Sequence, residues 1–485
     1  MSRTVILGAG ISGHTAATRL RQRLGREHEV IVVTPNSRWN WIPSNIWVGV
    51  GRMTSDDVTF ALAPVYQKLG ITYVQAKGTE IHPEGDAANP APYVTVEHTS
   101  EGRRGEVERI PYDYLVNATG PKLNFGAVQG LGPGGHSLSV CTASHAEETA
   151  KELEGVIAKL RAGEKQTLVI GTSHGTCTCE GAAFEYVFNV EHEIRSRGLR
   201  HLAEIIYLSN EHELGDFGVA GLHMEVGGFV THSKTWAESL YTERGIRWIL
   251  QAHVERVEPG EVFYETLDGA KHSQRFDFAM LLPPFGGVGL RSFDQGGAET
   301  TSELFAPSGF MRVDANYTAK SFEEWKPEDW PRTYQSPKFA NVFAVGIAFA
   351  PPHQLSKPFK SPNGTLIAPS PPRTGMPSGI MGRAVANTIA DRIQRGASAP
   401  AHAASMATMG AACVASAGKG MLKGSAAAMT MYPIVPDYER FPGTGRDLRF
   451  TFGEIGLAAH WIKYFLHHAF IWKAKGKFGW QLIPE

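Results

Sequence analysis

Thr4-Val5-Ile6-Leu7-Gly8-Ala9-Gly10-Ile11-Ser12-Gly13 runs an apolar segment straight into three glycines spaced G-x-G-x-x-G. The segment reads as a buried strand and the glycines as the turn that opens a helix. Gly8 permits the tight turn, and Gly10 lets backbone approach a pyrophosphate that the helix N-terminus attracts. Gly13 lets helix and strand pack closely, with Ile11 and Ser12 completing the loop. Ala17, Leu20 and Leu24 then recur on one helical face. The following strand ends at Thr34, where the usual fingerprint has a carboxylate for the ribose hydroxyls, so ribose needs another donor or acceptor.

A second unit of the same kind starts at Thr167, with strand Leu168 to Ile170 and a helix from about Glu180. Its turn, Gly171-Thr172-Ser173-His174-Gly175-Thr176, has lost the glycine spacing, which argues against NAD(P)H as reductant. Further strands are expected at Tyr114 to Ala118, ending in Thr119-Gly120, and at Val342 to Val345, ending in Gly346. A polar hairpin is expected near 84–110 and a helix from about Gly379 to Ile393. The small-residue stretch Ala397 to Gly410 reads as a linker or a loosely packed helix. The duplicated unit predicts an α/β fold with two Rossmann-like dinucleotide-binding domains, the first split by the second.

With 485 residues and 42% apolar content, the chain can bury two or three cores. A net charge of −1 excludes a general nucleic-acid binder. No stretch reaches the ~20 apolar residues of a spanning helix, and no secretory leader is expected. Four cysteines in this length point to reactivity rather than a disulfide scaffold. Cys179 is expected at a helix N-terminus, where the dipole would favour its thiolate. Cys141 stands four residues before His145, and Cys413 lies far downstream.

Residues 118–145 (ATGPKLNFGAVQGLGPGGHSLSVCTASH) resemble the corresponding stretch of sulfide:quinone oxidoreductases. So do WIPSNIWVGVG (41–51), GTSHGTCTCEGAAFEY (171–186), PPRTGMPSGIM (371–381) and AACVASAGKG (411–420). The resemblance covers most of the chain. It implies a three-layer ββα flavoprotein that oxidises sulfide and reduces a membrane quinone. The implied division is 1–150 and 301–400 for the two parts of the FAD domain and 151–300 for the second Rossmann-like domain. Residues 401–485 become a C-terminal region with Cys413, the quinone site and membrane-binding helices.

The resemblance also implies roles. Cys179, in Thr178-Cys179-Glu180-Gly181-Ala182, matches the cysteine of a Ser-Cys-Phe-Gly-Pro type motif; Cys413 matches its partner beside FAD, and Cys141 a third family cysteine. Sulfide attack on an S–S bond leaves a persulfide and a thiolate. The persulfide is implied for Cys179 and the flavin-directed sulfur for Cys413. Cys177 matches no family position and reads as structural, with a role as an alternative partner for Cys179 the second reading. Arg373, followed by Thr374 and Gly375, stands where the family usually has lysine, a cation for the reduced flavin. Pro43, Ser44 and Asn45, with Thr119, Gly120 and Gly346, are implied beside the cofactor. His145 matches a family histidine on the sulfide path, but Asp216 stands where a second histidine is expected; His212 or His232 could substitute. No metal is implied.

Residues 453–485 hold only two acids, Glu454 and Glu485, among four lysines and seven aromatics. Leu457, Trp461, Tyr464, Phe465 and His468 follow a helical spacing suited to a bilayer surface. Met376, Tyr432, Phe452 and Phe465 are candidate quinone contacts. The expected location is one face of a prokaryotic cytoplasmic membrane, with homo-oligomerisation left open. The rivals are a type II NADH:quinone oxidoreductase, a sulfide dehydrogenase feeding a cytochrome, and a non-enzymatic flavin scaffold.

Overall fold

Val5, Ile6 and Leu7 are buried on both faces of their strand, as a central parallel strand requires. In the computed structural model, which describes residues 1–419 and 422–485, that strand is β1 (Arg3–Leu7), followed by α1 (Ile11–Leu24), β2 (Glu29–Thr34) and β3 (Thr72–His82). A hairpin of Tyr93–His98 and Val107–Pro111 precedes β4 (Tyr114–Asn117) and α2 (Ala143–Arg161). The second unit comprises β5 (Gln166–Thr172), α3 (Glu180–Ser196), β6 (Ala203–Leu208), β7 (Arg247–Ile249) and β8 (Phe278–Leu282). The chain then returns through β9 (Val342–Ala344) and α4 (Gly375–Arg395). It ends in β10 (Ala411–Lys419), β11 (Lys423–Met431), β12 (Gly453–Gly456) and α5 (Leu457–Ala474).

The first sheet has the order β9–β4–β1–β2–β3, extended by the hairpin. Its central pairs are parallel and the hairpin strands antiparallel. The strands read at Thr4, Tyr114 and Val342 thus lie side by side, with the whole second unit inserted before the last of them. That unit is a parallel sheet, β7–β6–β5–β8, accompanied by an antiparallel meander of Ala252–Glu258, Glu261–Thr266 and Lys271–Arg275. α1 lies along α4, so close that a side chain at Gly382 would run into the Ser12 carbonyl. The segment after α4 is neither helix nor free linker: His402 binds Asp391 (2.7 Å), and Ala404, Ser405 and Met406 are buried.

The third sheet, β10–β11–β12, is antiparallel and carries α5 on one side. This helix is inverted relative to an ordinary surface helix. His460, Lys463 and His467 face inward and are buried, whereas Ile462 and Phe465 are 52% and 56% exposed, with Leu466 and Trp472 also outward.

His14, on α1, ties this tail to the first sheet. Its ring is buried, with Nδ1 2.9 Å from the Tyr66 hydroxyl and Nε2 2.8 Å from the Ala474 carbonyl. Burial lowers its pKa from 6.5 to about 4. The unfolded chain therefore binds an extra proton between those values, and stability falls as pH drops through that window. Urea unfolding should show His14→Gln flattening the loss between about pH 7 and pH 4.5 by up to about 3 kcal/mol. Parallel profiles for the two proteins would remove this account of the tail contact.

Candidate active site

The first glycine turn is an open cradle. Gly8 adopts φ +101°, and a β-carbon there would strike the Ala118 carbonyl. α1 starts at Gly10 with no side-chain cap, leaving its first N–H groups for a ligand. A β-carbon at Gly10 or Gly120 would meet nothing within 4 Å. Gly346 (φ +65°) sits against Ser12, and Gly375 against Ile11, so the turn, the loop after β9 and the start of α4 converge. Thr34 is buried at the end of β2, and Thr119 donates to Asn117 at 2.9 Å. This space fits the pyrophosphate of a dinucleotide such as FAD. Ser44 and Asn45 turn elsewhere: the Ser44 hydroxyl meets His467 Nδ1 at 2.8 Å and Asn45 pairs with Asn40. In this region Pro43 is only half-buried.

The second turn is closed. Ser173 N–H donates to Leu282 O (3.0 Å), His174 N–H to Cys177 Sγ (3.3 Å) and Gly175 N–H to His253 Nδ1 (3.1 Å). Thr176 and Cys177 N–H both donate within the turn. From outside, Ala368 N–H donates to Gly175 O (2.7 Å), and the loop Leu366–Ser370 covers the backbone. No donor from 173 to 177 is left for a pyrophosphate.

Cys179 caps α3 in the left-handed region, φ +73°, a conformation that costs a non-glycine residue about 1–3 kcal/mol. Two residues on, Gly181 leaves room for a sulfur: a β-carbon there would lie 2.9 Å from Cys413 Sγ. β10 thus brings Cys413 to the first turn of the helix that Cys179 caps. Cys141 and Arg373 both interact electrostatically with Cys179. Arg373 is buried, donating to Ile347 O (2.8 Å) and Phe349 O (2.6 Å) and stacking on Phe310. All four cysteines are free thiols.

Their acidity corrects the expectation of a dipole-stabilised thiolate. Burial pushes Cys141 up to about 11 and Cys413 to about 12. Cys179 rises further, first by burial and then by the Glu180 carboxyl. At this helix start, desolvation outweighs the dipole. Cys177 is fully buried; its sulfur accepts from His174 N–H and donates to Leu282 O (3.3 Å), a packing role.

His145 lies on α2, capped by Thr142 through its backbone N–H, its ring edge-on to Phe125 and its pKa lowered by burial. His232 is spent capping Lys234 N–H (3.3 Å), and His212 Nε2 meets Lys357 O (2.8 Å). The quinone candidates keep different company. Tyr432 meets Phe450 edge-on, Phe452 bridges to Glu225, and Met376 (41% exposed) stands in the first turn of α4. Phe465 is on the outer face of α5.

Sequence reading missed the ion pair between Lys463 and both oxygens of Glu185, where α5 meets α3. Glu185 also accepts Ser416 N–H. The signal was present in His460, Lys463 and His467, a polar stripe at helical spacing masked by the aromatics between them.

Residues 2–319 match the family described as pyridine nucleotide-disulphide oxidoreductase. The chain is 29% identical over 471 residues to a sulfide-quinone reductase of Aquifex aeolicus, covering 97% of this chain and 90% of that one. A mitochondrial sulfide:quinone oxidoreductase of Mus musculus is 25% identical over 358 residues, covering 70% of this chain and 64% of the mouse protein. The crystal structure of the Aquifex aeolicus sulfide:quinone oxidoreductase superposes with a TM-score of 0.75 at 28% identity, covering 98% and 92% of the two chains. The NDH2 of Plasmodium falciparum shares the fold with a TM-score of 0.62 at 12% identity, covering 99% and 97%.

Lys463→Met should strand the Glu185 carboxyl in the interior and destabilise the protein by about 3 kcal/mol. The double variant with Glu185→Leu should recover most of that loss. Equal melting temperatures for single and double variants would mean the pair carries no charge.

Proposed function

Since the chain belongs to the pyridine nucleotide-disulphide oxidoreductase family, we propose that it is an FAD-dependent sulfide:quinone oxidoreductase whose electrons come from sulfide rather than from a nicotinamide. The observation that carries the reading is the approach of Cys413 to the helix start capped by Cys179, beside a second turn with no free donors. A type II NADH dehydrogenase would need that turn open.

FAD, when bound, supplies a two-electron acceptor that hands on to quinone. Gly8, Gly10, Ile11, Ser12 and Gly13 hold its pyrophosphate, with Thr34 toward the ribose and Thr119, Gly120, Gly346, Thr374 and Gly375 lining the remainder. Arg373, pinned to the carbonyls after Gly346, places a permanent charge between the cofactor space and Cys179; burial lowers its pKa only to about 10. The electrophile is the S–S bond that the free thiols of Cys179 and Cys413 would form on oxidation, giving up two electrons to the bound FAD and releasing two protons. Sulfide, as HS⁻, adds to one sulfur and the other leaves with the electron pair. Cys141 and His145 flank the path by which sulfide reaches this bond. The raised pKa values keep the thiols protonated in the reduced state, because a buried thiolate is costly. The parts of the chain divide as the sequence suggests, near residues 150, 300 and 400.

No described helix is long and apolar enough to cross a membrane. The outward apolar face of α5, with the lysines at its end, seats the protein on one bilayer surface, that of a prokaryotic cytoplasmic membrane. Quinone enters from that side, past Met376, Tyr432, Phe452 and Phe465.

Anaerobic addition of sulfide to the holoenzyme should bleach the flavin absorbance, NADH should not, and decylubiquinone should restore the colour. Cys179→Ser and Cys413→Ser should each abolish bleaching; normal bleaching in both would refute the cysteine roles. Phe465→Glu with Ile462→Glu should release the protein from anionic liposomes, and unchanged co-sedimentation would take α5 off the membrane.

A further inference from the structure

Directly after Cys179, at the first position of α3, the chain buries a carboxyl group completely. Glu180 is 0% exposed, and neither of its side-chain oxygens has a hydrogen-bond partner. The Asn210 amide nearby donates to the carbonyls of Gly175 (3.1 Å) and Cys177 (3.2 Å) and also acts on the Glu180 carboxyl, an effect that burial outweighs. Behind Glu180 lie two more buried carboxyls. Glu211 accepts from Tyr207 (2.9 Å), Ser209 (2.9 Å) and Phe217 N–H (2.9 Å), and Asp216 accepts from Ser356 (2.5 Å) and Gly218 N–H (2.9 Å). Among the described residues no cation pairs with Glu180. Arg446, the one buried cation acting on Asp216, spends its guanidinium on four carbonyls, and His212 acts on Asp216 from the loop between. The other titratable groups facing the cluster are Cys177, Cys179, Tyr207 and Tyr241. Beyond Cys179 stand Cys141 and Arg373. Three like-charged groups so placed cannot all ionise and must share protons.

We propose that Glu180 is the proton-holding residue for Cys179, with Glu211 and Asp216 as the reserve behind it. This rests on the sulfide reading above and deepens it. HS⁻ bonds to the sulfur attached to Cys179, here Cys413 Sγ. The S–S bond breaks, and its electron pair goes to Cys179 Sγ, which takes the proton of the neutral Glu180 acid. Cys413 keeps the new sulfur as a persulfide, and the negative charge that arrived as HS⁻ remains as the Glu180 carboxylate. Sulfide sulfur is oxidised, Cys179 sulfur is reduced, and charge is conserved without a buried thiolate. When the Cys179 sulfur bonds the outer sulfur of the Cys413 persulfide, two electrons and the persulfide proton would pass to the bound flavin, and the Cys179 proton returns to the Glu180 carboxylate. This route leaves the persulfide opposite to the assignment carried by the resemblance, because the acid stands beside Cys179. Burial and the neighbouring carboxyls raise the pKa of Glu180, consistent with a neutral resting acid.

The test is alkylation of the reduced holoenzyme by iodoacetamide from about pH 6 to pH 10, followed by peptide mass spectrometry. In Glu180→Gln the Cys179 profile should move to lower pH, with about tenfold faster alkylation near pH 8, since the carboxyl that opposes the thiolate is gone. Cys177 should stay unmodified, because it reports unfolding rather than acidity. Sulfide-driven bleaching in the same variant should slow by about 10²-fold. Superimposable Cys179 profiles in wild type and variant would overturn the proposal even if wild-type bleaching is normal. Should Cys177 react as well, Glu211→Gln takes the place of the first variant: it should move the Cys179 profile in the same direction by less, and an unmoved profile overturns the proposal equally.

Discussion

A missing side chain at residue 181 fixes the geometry on which the chemistry depends. Cys413 arrives on a strand from the C-terminal sheet, more than two hundred residues from Cys179, and its sulfur occupies the space that a β-carbon at Gly181 would take. Any larger residue there would force the Cys413 sulfur to shift. The strained cap at Cys179 belongs to the same contact: its left-handed backbone lifts the chain out of the closed turn and into the helix that meets the strand.

The helix α3 is held at two points within its first two turns. Near its start lie Gly181 and the buried carboxyls; one turn later Glu185 grips Lys463 of α5. The tail helix therefore does two jobs with opposite faces. Its polar residues fasten it to the cysteine helix, and its apolar residues are left to solvent or lipid. Burying charges costs free energy, and this fold accepts that cost where the tail helix meets the helix that Cys179 caps.

Much of the fold could be read from residues alone. The glycine turn at Gly8, the strands at Tyr114 and Val342 and the helix after Glu180 are local patterns, and local patterns survive into the tertiary structure. The split of the first sheet by the second unit followed from seeing the pattern twice. The site was less legible. The resemblance put Cys179 and Cys413 together, but not the reason, which lies in a glycine two residues away. The expected thiolate at Cys179 was a local inference from helix position, and burial, a non-local quantity, reversed it. Asp216 was marked only as a replaced histidine, and its grouping with Glu180 and Glu211 gave no signal because Glu180 is 31 residues from Glu211 and meets both only through the second sheet. The stretch 397–410 was misread because its small residues pack against α4 rather than forming an element of their own.

The covered second turn has a physiological meaning. With its backbone amides bonded within the chain and a loop lying across it, that turn offers no donor to a pyrophosphate. On the proposed function, electrons taken from sulfur then have no exit toward NAD⁺, and turnover answers to two supplies only, sulfide on one side and oxidised quinone on the other.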